Sequence, residues 1–178
     1  IRYSTKNILK NLKKSCIVII FPSLFFTGYY PTVVNYTLAD ININFHDLNL
    51  VKNFLKFKTK DNFVSESLKN IHSENYFSES VIQDNINKSL ESLKFRENNA
   101  IQNCKYNLFI NISGYINDNY KKKILFHTLN HPTKFLFEYI SDKIISFLDF
   151  EKTNYSDNLD PLAYFNCIIY NSVNLKIN

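Results

Sequence analysis

The chain has 178 residues, 45% of them hydrophobic, and its 21 Lys and Arg against 16 Asp and Glu leave a formal charge of +5. That is enough apolar material for one domain with a core of its own. Three widely spaced cysteines, Cys16, Cys104 and Cys167, exclude a paired-cysteine zinc site and a disulfide framework, and they suit a reduced, cytoplasmic protein.

Residues 4–14 read as a short helix with Ile8, Leu9 and Leu12 inward. The run 16–21 is continuously apolar and β-branched, which predicts a strand covered on both faces and closed by Pro22. An aromatic loop follows and contains Gly28, one of only two glycines in the chain. Ligands of open α/β sheets bind beyond strand ends, so this loop is a candidate pocket wall; Gly28 also suits a plain turn.

Residues 45–57 predict a helix with Leu48, Val51, Phe54 and Leu55 inward, and 63–71 another turn or two. Ser80 and Gln83 have capping-box spacing and open a helix to about Arg96, striped by Ile82, Ile86, Leu90 and Leu93. Residues 106–112 are β-like and 113–120 suit a helical turn. Residues 124–126 read as a short buried strand. A last long helix covers 133–148, with Leu136, Ile140, Ile144 and Phe147 on one stripe. Residues 152–160 are polar, and 161–178 are irregular with some strand character. Pro22 interrupts the longest apolar run, so no segment reaches the length of a bilayer span.

The strand at 124–126 leads to His131, with Pro132 suited to the first helical position. Beside a helix N-terminus the protonated imidazole is disfavoured, and a neutral ring can accept a proton. His131 therefore reads either as a capping histidine or as a general base. His127 lies four residues earlier, but Pro132 puts the helix start after the pair, and no third zinc ligand is near. No glycine-rich phosphate loop and no Gly-x-Ser-x-Gly elbow occurs. Lysines cluster at Lys10, Lys13 and Lys14, at Lys56, Lys58 and Lys60, and at Lys121, Lys122 and Lys123, which favours anionic partners. Only two arginines, Arg2 and Arg96, are present to read bases, so nucleic acid is not the expected partner.

Two segments together resemble a known family. Phe21-Pro22-Ser23-Leu24-Phe25-Phe26-Thr27-Gly28-Tyr29-Tyr30-Pro31 and Leu125-Phe126-His127-Thr128-Leu129-Asn130-His131-Pro132-Thr133 are similar to the best-marked segments of the WcbI-type polysaccharide biosynthesis enzymes, in the same order. The resemblance spans about residues 16–148 and implies an acetyltransferase that uses coenzyme A, as acetyl-CoA, on a sugar or glycan acceptor of a capsule or surface polysaccharide. The family's presumed cysteine nucleophile lies in a Gly-Asn-Cys-Gln motif that this sequence lacks, and Tyr30 stands where the family has His. The chain contains no Met and starts at Ile1, so it reads as a single-domain piece lacking its N-terminal strand and nucleophile motif.

The implied roles are His131 as base, with Asn130 and Thr128 fixing its ring or donating to an oxyanion. Gly28, Tyr29, Tyr30 and Pro31 would line the cofactor pocket, and Lys121, Lys122 and Lys123 would attract its phosphates. The histidine-proline corner also resembles, distantly, the last block of SGNH-type esterases, whose orienting Asp is Thr128 here. The expected fold is α/β and helix-rich, a small, mainly parallel sheet flanked by helices. The alternatives to a transferase are an SGNH-like carbohydrate esterase and a non-catalytic binding module.

Overall fold

The computed structural model describes residues 5–38, 41–103, 105–152 and 160–177. In chain order the elements are α1 (Thr5–Lys10), β1 (Ile19–Ile20), β2 (Val33–Leu38), β3 (Ile41–Asp47), α2 (Leu48–Lys56), α3 (Lys60–His72), α4 (Glu79–Asn103), β4 (Leu108–Phe109), α5 (Ile112–Asn119), α6 (Lys134–Phe147) and α7 (Asn171–Ile177). The fold is helix-rich, as the sequence predicts. β1 and β4 pair in parallel, Ile19 opposite Leu108 and Ile20 opposite Phe109. β2 and β3 form a separate antiparallel pair.

Several expectations change. The strand at 16–21 shrinks to two half-buried residues, with Ile17 and Phe21 exposed, so it is not covered on both faces. Cys16 precedes it and is exposed. α1 stops at Lys10, and Ile8 and Leu12 lie at the surface. Phe45 and His46 belong to β3 rather than to a helix. The helix starts after Asp47, whose Oδ1 accepts from the N–H groups of Asn49 (2.8 Å) and Leu50 (3.2 Å). α2 buries none of its residues; Val51, Phe54 and Leu55 are exposed. Residues 63–71 belong to a full helix, capped by Thr59. Residues 171–177 are helical, not extended.

α4 is the spine of the core. Ile82, Ile86, Leu90 and Leu93 are all buried, as the stripe predicts. Its cap is Ser78, whose Oγ accepts from Val81 N–H, two residues before the expected Ser80. The stripe also continues one turn beyond Leu93, to Glu97, which is buried as well. The carboxylate of Glu97 accepts from the N–H groups of Ile112 and Ser113, both at 2.8 Å, and from the Ser113 hydroxyl. Asn111 Oδ1 takes the next N–H, from Gly114, at 2.7 Å. All three first donors of α5 are thus satisfied inside the protein. This is how α4 carries the loop after β4.

The aromatic loop after β1 is core, not rim. Phe26, Tyr29 and Tyr30 are buried, and Phe26 packs on Tyr29, Tyr120 and Phe126. The Phe26 ring folds back over Gly28, where an added Cβ would stand 2.2 Å from its Cζ. A ring held on three sides cannot move away, so Gly28→Ala is an overpacking change expected to cost about 1–3 kcal/mol. Chemical denaturation checks this, with a midpoint like the parent's as the contrary result. Gly28 is required for packing, without a positive φ.

Candidate functional site

The loop and the His131 corner form one unit. Phe26 N–H donates to the Leu129 carbonyl at 2.8 Å, and Tyr30 hydroxyl donates to the Phe126 carbonyl at 2.9 Å. The Tyr29 hydroxyl lies 3.0 Å from the Tyr120 carbonyl and 3.2 Å from that of Lys123. Desolvation, above all, pushes both phenols above their ordinary range, so neither titrates near neutral pH. Gly28, Tyr29 and Tyr30 are all buried, and the hydroxyls of Tyr29 and Tyr30 are spent on the backbone beneath the corner. Pro31 is half-buried next to them.

The corner is a tight loop. Phe126 and Pro132 form an isolated antiparallel bridge in place of the expected strand, and His127 N–H donates to the His131 carbonyl at 2.8 Å. Pro132 lies before the N-cap, Thr133, and not at the first helical position. Thr133 makes no side-chain cap; its hydroxyl donates to the Ile124 carbonyl at 2.9 Å.

His131 is half-buried, with its Nδ1 2.6 Å from Thr128 Oγ1. The Thr128 hydroxyl donates to Asn130 Oδ1 at 3.2 Å. With that proton on Asn130 the hydroxyl accepts from Nδ1–H of His131 and the lone pair lies on Nε2; in the other tautomer the hydroxyl donates to Nδ1 instead. No group among the described residues hydrogen-bonds Nε2. The sequence-predicted residues Thr128, Asn130 and His131 are therefore brought together by contacts among their side chains.

His127 is placed differently. Its Nε2 lies 2.9 Å from Asp160 Oδ2 and its Nδ1 2.8 Å from Asn166 Oδ1. Both ring nitrogens are occupied, so His127 offers no lone pair to a substrate. Asp160 also accepts from the N–H groups of Lys134 (3.2 Å) and Leu162 (3.3 Å). It is Asp160, not His131, that takes up the N-terminus of α6. Desolvation works to raise the Asp160 carboxyl, but the bonds from His127, Lys134 and Leu162 outweigh it and hold it below its usual value. A depressed carboxyl stabilises the fold above the unfolded value of about 3.9 and loses that contribution as pH falls through the folded value. The melting temperature advantage over Asp160→Asn should therefore shrink as pH drops below about 4; a constant difference would contradict the assignment.

His127, Lys134, Asp160 and Asn166 form the polar wall of an open pocket of about 540 Å³, opposite Ile124, Phe135 and Ile169. The Lys123 ammonium lies 4.8 Å from the ring centroid of Phe135, one of the pocket's residues, whereas Lys121 and Lys122 are exposed. Four other lysines, Lys10, Lys13, Lys14 and Lys105, line a separate groove of about 550 Å³ with Cys16. That groove adjoins Val18 and Asn107, at the N-terminal ends of β1 and β4. Sequence reasoning missed Asp160 and Asn166. Asp160 ends the polar stretch, Asn166 lies beyond it, and both meet His127 only through the fold.

Residues 2–153 match the family of the polysaccharide biosynthesis enzyme WcbI. The chain belongs to the WcbI family. A solved structure, described as WcbI, a novel polysaccharide biosynthesis enzyme, in its native form without a disulfide bond between coenzyme A and one of its cysteines, has the same fold. The TM-score is 0.68 at 23% identity, over 89% of this chain and 51% of that one. The chain thus spans about half the length of this WcbI neighbour. Among curated proteins, none matches. The WcbI match includes the aromatic loop and the whole of the His131 corner; Asp160, Phe165 and Asn166 lie outside it. Among the described residues, no helix is long and apolar enough to cross a membrane.

Proposed function

We propose that this WcbI-family chain contributes the general-base half of an acyl-transfer site, in which an acetyl group passes from the thioester of acetyl-CoA to a sugar hydroxyl. The observation that carries this reading is the contact of Thr128 with both Asn130 and His131 Nδ1; in the tautomer with the proton on Nδ1, Nε2 is the basic atom. In the reaction Nε2 takes the proton of the attacking sugar hydroxyl as the C–O bond forms and the thioester C–S bond breaks, and the imidazolium so formed gives that proton to the departing coenzyme A thiolate. The Thr128 hydroxyl holds Nδ1–H but brings no negative charge, so the imidazolium is oriented without being neutralised.

The pocket beside the corner is large enough for part of a cofactor or a sugar ring, and its Lys134 and neighbouring Lys123 suit anionic groups. Coenzyme A enters this reading because a WcbI structure is described with it.

The rival reading keeps the same corner and lets water be the acceptor. Incubating the natural protein with an acetylated glycan, with and without coenzyme A, separates the two. Acetylation chemistry that needs the cofactor supports transfer; release of acetate without it establishes an esterase and overturns the proposal.

A further inference from the structure

The densest set of polar contacts around the corner involves residues that the family match does not reach. Asp160 holds His127 Nε2 and the first N–H of α6, and Asn166 Oδ1 meets His127 Nδ1. Cys167 N–H donates to the His127 carbonyl at 2.8 Å. Between these anchors the backbone turns, with Ala163 N–H on the Asp160 carbonyl at 3.2 Å and Phe165 N–H on that of Leu162 at 2.9 Å. The turn carries the Phe165 ring to the face of His131, 4.9 Å between centroids and 11° from parallel.

Burial does not explain that placement. Phe165 is 54% exposed and its neighbour Tyr164 95% exposed, so the hydrophobic gain at this position is small. The ring is where it is because both sides of it are tied to one histidine.

We infer that residues 160–167 form a strap anchored on His127, and that His127 is a positioning residue which, through Asp160 and Asn166, holds Phe165 against His131. With Nδ1 bound to Thr128 and one face covered by Phe165, the His131 ring has a single plane, and its Nε2 a single direction. The charged groups facing His127 are Asp160 on the strap and Lys134 at the start of α6; Asn166 and Thr133 are neutral. The role of His131 in this inference rests on the acyl-transfer reading, but the strap itself does not.

The test needs no turnover. The chain contains no Trp, so Phe165→Trp places a single indole on the His131 ring. Protonated imidazole in contact with indole quenches its emission, so emission should fall on acidification, and His131→Ala in the same background should abolish that fall. Adding His127→Gln, or Asp160→Asn should the first variant fail to fold by far-ultraviolet circular dichroism, should remove the pH-dependent quench while the helical signal is retained. A quench that persists in the folded anchor variant overturns the positioning role. A pH response unaffected by His131→Ala overturns the stacked contact itself. Loss of acetyl transfer as a reading would leave both readouts unchanged, so the two proposals fail separately.

Discussion

Replacing His131 by Ala should lower acetyl transfer by the natural protein about 10²–10⁴-fold, the range that a positioned proton acceptor contributes. The fold should survive. His131 is only half-buried, among the described residues its one side-chain hydrogen bond is to Thr128, and its ring faces a partly exposed Phe165. The corner itself is held by backbone bonds, His127 N–H to the His131 carbonyl and Phe26 N–H to that of Leu129, which do not depend on the side chain. A melting temperature within a few degrees of the parent's, with turnover lost, is the expected pair of results. Comparable turnover in the two proteins would remove His131 from the chemistry.

The largest stability effect should come from a residue with no part in the site. Glu97→Ala leaves the N–H groups of Ile112 and Ser113 without their acceptor at a buried helix start. Each buried, unmade bond costs about 1–3 kcal/mol, and the truncated side chain adds a void. The loss should reach about 3 kcal/mol, and so lower the melting temperature by about 6–12 °C for a domain of this size. Glu97→Gln keeps one acceptor and should lose less. Equal melting temperatures for Glu97→Ala and the parent would show that α5 is held by other means.

Glu97 also shows where sequence reasoning reached its limit. The stripe from Ile82 to Leu93 was legible because apolar residues recur at helical spacing, and continuing that spacing lands on Glu97. A carboxylate there signals the end of a buried face, unless the donors it meets are known, and those lie fifteen residues downstream in α5. The β2–β3 pair carried a readable sign: Ile41-Asn42-Ile43-Asn44-Phe45 alternates apolar and polar, the period of a strand. The apolar residues of α2 drew Phe45 and His46 into a helix whose start, at Asp47, is instead set by a cap.

The site divided in the same way. Thr128, Asn130 and His131 are neighbours in sequence, so the relay among them could be read locally. The burial of Tyr29 and Tyr30 could not, because it depends on carbonyls of residues 120–126, which only the fold brings near. Asp160 and Asn166 were hidden for the same reason. Their meeting with His127 separates the two histidines of the corner into one that is held at both nitrogens and one that keeps a lone pair.

The most direct measurement follows isotope from acetyl-CoA labelled in its acetyl group, incubated with the natural protein and a glycan acceptor. Label recovered as an alkali-labile ester on the glycan, and absent with the His131→Ala protein, is the predicted result. Label recovered only as free acetate, or glycan labelled equally by the His131→Ala protein, would contradict the account.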